Sequence, residues 1–344
     1  MAKKQKTAFR YKDEVEALKS GGPERLYLLY GPEDYLRERY LDELRALCVP
    51  SDDDFSYKRL DGPAVDLNEL SEAVNAMPFF TERTMVEVRD YDINKCRDAD
   101  AEMLREILSD IPDFCTVVFV LSSAYEPDGR LGAVKMLKKL GKTLEFTEQE
   151  GSALVLWIAG RFKALGKAIS REDAEYLIFL SGSRMNALIP EIEKAAAHAA
   201  GDVVLRADIE LTANRVAEAD VFQMTDLLSR RQTDRAAALL SDLLADKNNH
   251  PIMLNALIGQ QMRRLYTVKL GMDEGKRRDD IMALSGVKFD FIYDKLTAAA
   301  RGYTLPQLAR IVSLCAEYDF KMKSTGLDAG LLLRELFARI AAGV

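Results

Sequence analysis

At 344 residues, with 48% hydrophobic and 30% charged positions, the chain has ordinary globular composition and room for two or three domains with a sizeable core. Its net charge of −7 excludes binding to nucleic acid by bulk charge, because phosphate affinity comes from clustered Lys and Arg, so any DNA contact must be local or shared with partners. Cys48, Cys96, Cys115 and Cys315 lie far apart, which sets aside a CxxC zinc site and a disulfide framework and fits a reducing cytoplasm.

The chain begins with basic Met1–Thr7, but charged residues and not an apolar signal core follow. No later segment stays apolar long enough to span a bilayer, so neither export nor a membrane is expected. Residues 11–20 read as a short helix, broken by Ser20-Gly21-Gly22-Pro23. The apolar run Leu26-Tyr27-Leu28-Leu29-Tyr30 then stops at Gly31 and leads into an amphipathic helix with Leu36, Tyr40, Leu41, Leu44, Leu47 and Cys48 on one stripe. Glu33 and Asp34 sit in its first turn, where the helix dipole favours anions.

Strand, glycine turn and helix start are the architecture of a phosphate loop. Counting from Gly31, a Walker A loop needs glycine, lysine and serine or threonine at positions 36, 37 and 38. This chain has Leu36, Arg37 and Glu38 there, and Glu33 and Asp34 add negative charge beside it. The architecture is that of a nucleotide site without its phosphate chemistry.

Further strands are expected at Phe55–Leu60, Thr84–Val88, Thr116–Leu121 and Thr143–Phe146. Helices are expected at Asp66–Ala76, capped by Asp66 with Glu69 three residues on, at Ala99–Leu108, and at Arg130–Leu140, ended by Gly141. Five strands alternating with helices predict an α/β domain with a mostly parallel sheet covered on both faces. The strand ending at Leu121 is where an ATPase would carry an acidic pair, yet it runs into Ser122-Ser123-Ala124.

From Gly151 the chain changes character, and the one strand expected beyond it is Val203-Val204-Leu205. Leu154–Leu165, Glu172–Leu180 and Met185–Ala199 read as three short helices, the second capped by Ser170. Pro190 inside the third requires a kink or a later start. Asp208–Glu218 reads as a linker. Helices follow at Val221–Ser229, Thr233–Ala245, Pro251–Leu270, Asp279–Ser285, Phe289–Ala300, Pro306–Met322 and Asp328–Ala341, a pattern for a bundle. Domain limits are therefore 1–150, 151–214 and 215–344.

Four passages, in this order, resemble the delta subunit family of the bacterial DNA polymerase III clamp loader. They are Leu26-Tyr27-Leu28-Leu29-Tyr30-Gly31-Pro32-Glu33-Asp34-Tyr35-Leu36, Met77-Pro78-Phe79-Phe80 followed by Arg83–Val88, Ser181-Gly182 to Glu193-Lys194, and Glu317–Gly326. The resemblance covers essentially the whole chain. It implies an AAA+-like sheet domain, an all-α lid and an all-α C-terminal collar that neither binds nor hydrolyses ATP: a non-catalytic subunit of the replicative DNA-directed DNA polymerase complex. It implies binding to the sliding clamp and opening of the ring during DNA replication. The implied partners are ATPase and delta-prime subunits, joined through the collar, and primer-template DNA within the complex. No cofactor or metal is implied.

The clamp-binding element of the family falls on Met77, Pro78, Phe79 and Phe80. Pro78 stops the preceding helix, and two adjacent aromatics in an extended segment cannot both point inward, so at least one is expected to be exposed. On residue type alone both rings read as core, since Phe is usually buried; the resemblance reverses that reading. Asp52-Asp53-Asp54 lacks further ligands at metal spacing and reads as a solvated loop. Arg263-Arg264 and Lys276-Arg277-Arg278 read as solvated faces, with contact to DNA or an acidic neighbour as the alternative. His198 and His250 have no cysteine or serine partner, and Trp157 reads as core. The competing function is a degenerate AAA+ ATPase or nucleotide-dependent switch, and a third is a loader-like paralogue serving a different ring or polymerase. Measured ATP affinity separates the enzyme from the binding subunit.

Overall fold

The computed structural model describes residues 11–49, 55–79 and 81–343. Contacts divide the chain into two compact units: one runs to Gln149 and takes in Arg184–Asn186, and the other comprises Glu150–Ser183 and Ala187–Val344.

The first unit contains α1 (Tyr11–Gly21), β1 (Leu26–Tyr30), α2 (Asp34–Cys48), β2 (Tyr57–Asp61), α3 (Leu67–Asn75), β3 (Thr84–Arg89), α4 (Asp98–Ser109), β4 (Cys115–Leu121), α5 (Gly132–Leu140) and β5 (Lys142–Glu145). The strands form one parallel sheet in the order β2-β3-β4-β1-β5. Every residue of β1 and β4 is buried, which explains why these central strands read as unbroken apolar runs. Leu28, Val117, Phe119 and Val86 join Leu70 and Val74 of α3 and Leu104 and Leu108 of α4 in one core.

Two local expectations change, and the Asp66 cap holds. Leu47, placed on the buried stripe of α2, is 40% exposed. β2 starts at Tyr57, and Phe55 lies outside it and is 81% exposed. Asp66 caps α3 through the N–H of Asn68 at 2.9 Å.

The second unit contains α6 (Gly151–Ala164), β6 (Ala168–Ile169), α7 (Arg171–Ser181), α8 (Met185–His198), β7 (Val203–Val204), α9 (Arg206–Thr212), α10 (Ala217–Ser229), α11 (Thr233–Ala245), α12 (Pro251–Asp273), α13 (Arg278–Ser285), α14 (Asp290–Ala300), α15 (Leu305–Ser324) and α16 (Ala329–Ala342). The segment read as a linker holds α9, and β7 pairs in parallel with β6, a partner too short to show any period. Helix α8 starts at Met185 and carries Pro190 in its interior, so the later start is excluded.

The bundle is built on α12, whose Leu254, Ile258, Met262 and Leu265 are buried in the same core as Ile311, Leu314 and Tyr318 of α15. Gly271 permits the approach of α13, because a Cβ there would lie 2.6 Å from Ile281 Cγ1. Phe179 of α7 stands edge-on to Phe222 of α10 at 5.2 Å and to Phe291 of α14 at 5.6 Å. Residues 151–214 and 215–344 thus share an aromatic cluster.

Candidate functional site

The glycine turn after β1 is bent by need. Gly31 has φ +122°, and a Cβ on it would fall 2.4 Å from the carbonyl oxygen of Phe146. That carbonyl accepts the N–H of Glu33 at 3.0 Å, and the N–H of Tyr35 goes to the Glu33 carboxylate at 3.3 Å. Two amides that a phosphate loop would aim at its ligand are therefore spent inside the chain.

Arg37, at the Walker lysine position, is 4% exposed. It turns back on the loop, donating through Nη1 to the Gly31 carbonyl at 2.8 Å and through Nη2 to Asp34 at 2.7 Å. Glu33 is buried, and desolvation pushes its carboxyl up from 4.5 to about 6, with the charges of Glu148 and Asp34 acting the same way. A buried acid and a cation already committed make this loop a poor phosphate cradle. Leu36, Arg37 and Glu38 show the missing motif; that Arg37 would be consumed by a backbone carbonyl has no side-chain signal.

Asp90, at the carboxyl end of β3, is an acidic residue without a motif to mark it in the sequence. It adopts φ +55° and accepts the N–H of Ser122 at 2.7 Å, tying β3 to the end of β4. Beside it, Arg89 forms a forked pair with Glu38 at 2.9 and 2.8 Å and bonds Glu87 at 2.6 Å.

The Met77–Phe80 segment follows α3. Ala76 caps that helix in an extended conformation (φ −66°, ψ 121°), and Pro78 lies two residues further on. Met77 is 74% and Phe79 84% exposed, and Phe79 meets the expectation that at least one of the two adjacent aromatics faces solvent. Pro78 is half-buried, and Phe80 lies outside the described residues. An open groove of about 350 Å³ lies alongside, walled by Ala73 and Ala76 of α3, Tyr57 and Lys58 of β2, and Met85 of β3.

The remaining sequence candidates resolve simply. Asp52-Asp53-Asp54 lies outside the described residues, among which no group of three His, Cys, Asp or Glu is placed to hold a metal. Arg277 pairs with Asp280 at 3.0 Å, and Arg278 with Asp290 at 2.8 Å and Asp294 at 2.9 Å, so this basic run is balanced within its own chain. Arg264 is half-buried. His198 meets Asp208 at 3.0 Å, and His250 caps α12 through the N–H of Ile252. Trp157 is half-buried, where core was expected. Burial pushes the thiols of Cys115 and Cys315 up to about 11, away from reactivity. No helix among the described residues is long and apolar enough to cross a membrane.

A helix-covered parallel sheet with a self-satisfied phosphate loop, followed by a largely helical remainder, defines an AAA+-like chain. The family of the DNA polymerase III delta subunit matches residues 27–147, and the family of that subunit's own C-terminal domain matches residues 218–340. DNA polymerase III subunit delta of Bacillus subtilis (strain 168) is 27% identical over 335 residues, 94% of this chain and 95% of that protein. The probable DNA polymerase III subunit delta of Aquifex aeolicus (strain VF5) is 23% identical over 322 residues, 91% of this chain and 90% of that protein. The solved structure of the Bacillus subtilis DNA clamp loader delta protein shares the fold, with a TM-score of 0.52 and 23% identity, covering 97% of this chain and 100% of that one. The chain belongs to the DNA polymerase III delta subunit family.

Proposed function

We propose that the chain is the clamp-opening component of a replicative clamp loader. Met77, Pro78, Phe79 and Phe80 bind the sliding clamp, and residues 215–344 join the chain to ATPase and delta-prime subunits as a collar. Residues 1–150 carry the clamp-binding element, and 151–214 form the lid. The observation that carries the reading is Phe79, 84% exposed just beyond a helix end in a family-matched segment. A Phe side chain taken from water into a partner pocket supplies ~1.5–3 kcal/mol, enough to make it an interface hot spot.

With its loop amides and Arg37 spent on the chain itself, the protein brings no nucleotide energy to the ring. It can shift a clamp between closed and open only by as much as it binds the open form more tightly. Sister ATPases then control when the clamp is reached, and primer-template DNA is met within the assembly, in the cytoplasm.

The test is calorimetry of the full chain with a purified sliding clamp in the absence of ATP, beside Phe79→Ala/Phe80→Ala. Expected are wild-type binding and a loss of roughly ten-fold or more in the variant. Unchanged affinity in a folded variant would reject the assignment. Measurable binding of ATP by the chain would favour the nucleotide-dependent switch instead.

A further inference from the structure

The exposed segment is tethered at both ends. Before it, the N–H of Ala76 closes α3 on the carbonyl of Ala73 at 3.4 Å. After it, Thr81 Oγ1 shares a hydrogen bond of 2.7 Å with Ser56 Oγ and donates to the Arg83 carbonyl at 2.7 Å. Ser56 is 1% exposed, and its carbonyl accepts the N–H of Met85 of β3 at 2.8 Å. A buried, immobilised hydroxyl thus holds the chain two residues beyond Phe79.

What fixes Ser56 is the placement of β2, which it precedes. As an edge strand, β2 has ladder bonds on one side, to β3. Side chains supply further ties. The Tyr57 hydroxyl donates to Glu87, which is 2% exposed, and Glu87 accepts from Arg89, whose fork grips Glu38 of α2. Arg45 of α2 lies 3.9 Å over the Tyr57 ring. This row of charge-assisted bonds runs from the phosphate-loop helix across β3 to β2 and ends one residue from Ser56. It leads from the spent loop to the exposed segment without using either for chemistry.

We infer that Ser56 and Thr81 are positioning residues for clamp binding: their hydroxyl pair holds Met77–Phe79 in the conformation that the clamp accepts. The inference rests on the reading of that segment as the clamp-binding element. A partner pays whatever conformational freedom the segment keeps. Apparent affinity falls in proportion to the competent fraction. Removing one neutral hydrogen bond lowers the ratio of competent to other conformations roughly five-fold, and the competent fraction by up to that factor.

The experiment measures clamp affinity by calorimetry and stability by urea denaturation for the full chain and four variants. Thr81→Val is expected to weaken clamp binding by up to roughly five-fold. Thr81→Ser, which keeps the hydroxyl, stays within about two-fold of wild type. Ser56→Ala/Thr81→Val removes both hydroxyls, and its clamp affinity stays low.

Full affinity in Thr81→Val, low affinity in Thr81→Ser, or recovery of affinity in the double variant would overturn the positioning role. Phe79→Ala separates the two levels of argument. A wild type that does not bind, or Phe79→Ala binding as tightly as wild type, overturns the clamp assignment and this inference with it. Wild-type binding lost in Phe79→Ala but kept in Thr81→Val overturns the inference alone.

Discussion

Glu33 shows at the scale of one residue what the phosphate loop has become. Its carboxyl is buried, caps α2 through the Tyr35 N–H, and titrates at about 6 where an ordinary glutamate titrates at 4.5. The raised value means that the folded state prefers the protonated acid. Stability from this group is fully present below 4.5 and is lost as pH rises through about 6. Glu33→Gln keeps a side-chain oxygen for the cap and removes the charge. The variant should exceed wild type at pH 7.5 by up to about 2 kcal/mol, 1.36 kcal/mol per pKa step, and match it near pH 4. Urea midpoints across that range check the prediction, and a difference independent of pH would refute it.

The element scale is where sequence and structure can be compared most usefully. Strands β1 and β4 were legible because burial on both faces leaves only apolar residues, and Gly31 was legible because a strand that stops at glycine before an amphipathic helix needs a special turn. Helix α9 was not: with Ile209 its one buried residue, it leaves no periodic stripe to read. Nor was the start of β2, since its burial alternates too weakly to set Tyr57 apart from Phe55. The candidate segment was half legible. Pro78 marked the helix end, while the tie from Thr81 to Ser56 spans 25 residues of sequence and no local pattern reveals it. The Gly31 turn offers the sharpest test of an element. Gly31→Ala would press a methyl into the Phe146 carbonyl at φ +122°, so a loss of at least about 3 kcal/mol is expected by urea denaturation. A near-neutral result would show that the loop can re-form without its tie to the residue after β5.

At the scale of the whole molecule, roles and cooperative units need not coincide. The sequence separates 151–214 from 215–344 at the segment read as a linker, and the proposed lid and collar follow that line. Yet both belong to one compact unit, joined by side chains that are not interchangeable surface contacts. Phe179 of α7 packs edge-on to Phe222 and Phe291, Tyr176 meets Phe291 at 5.7 Å, and Arg206 of α9 lies over the Phe291 ring at 5.8 Å. Backbone continues the join, since the N–H of Val216 donates to the Leu180 carbonyl at 2.7 Å. Elements that share a packed ring cluster should open together. In native-state hydrogen exchange, the slowest amides of α7, α10 and α14 are therefore expected to report one opening free energy. Phe179→Ala removes the ring at the centre of the cluster and should lower that value in all three helices by about 2–4 kcal/mol, given partial exposure of the site. Amides of β1 and β4, which belong to the other unit, should keep their wild-type protection. If α7 alone lost protection, the lid would be a separate cooperative unit. The shared outcome would mean that the proposed lid and collar respond to load as one body.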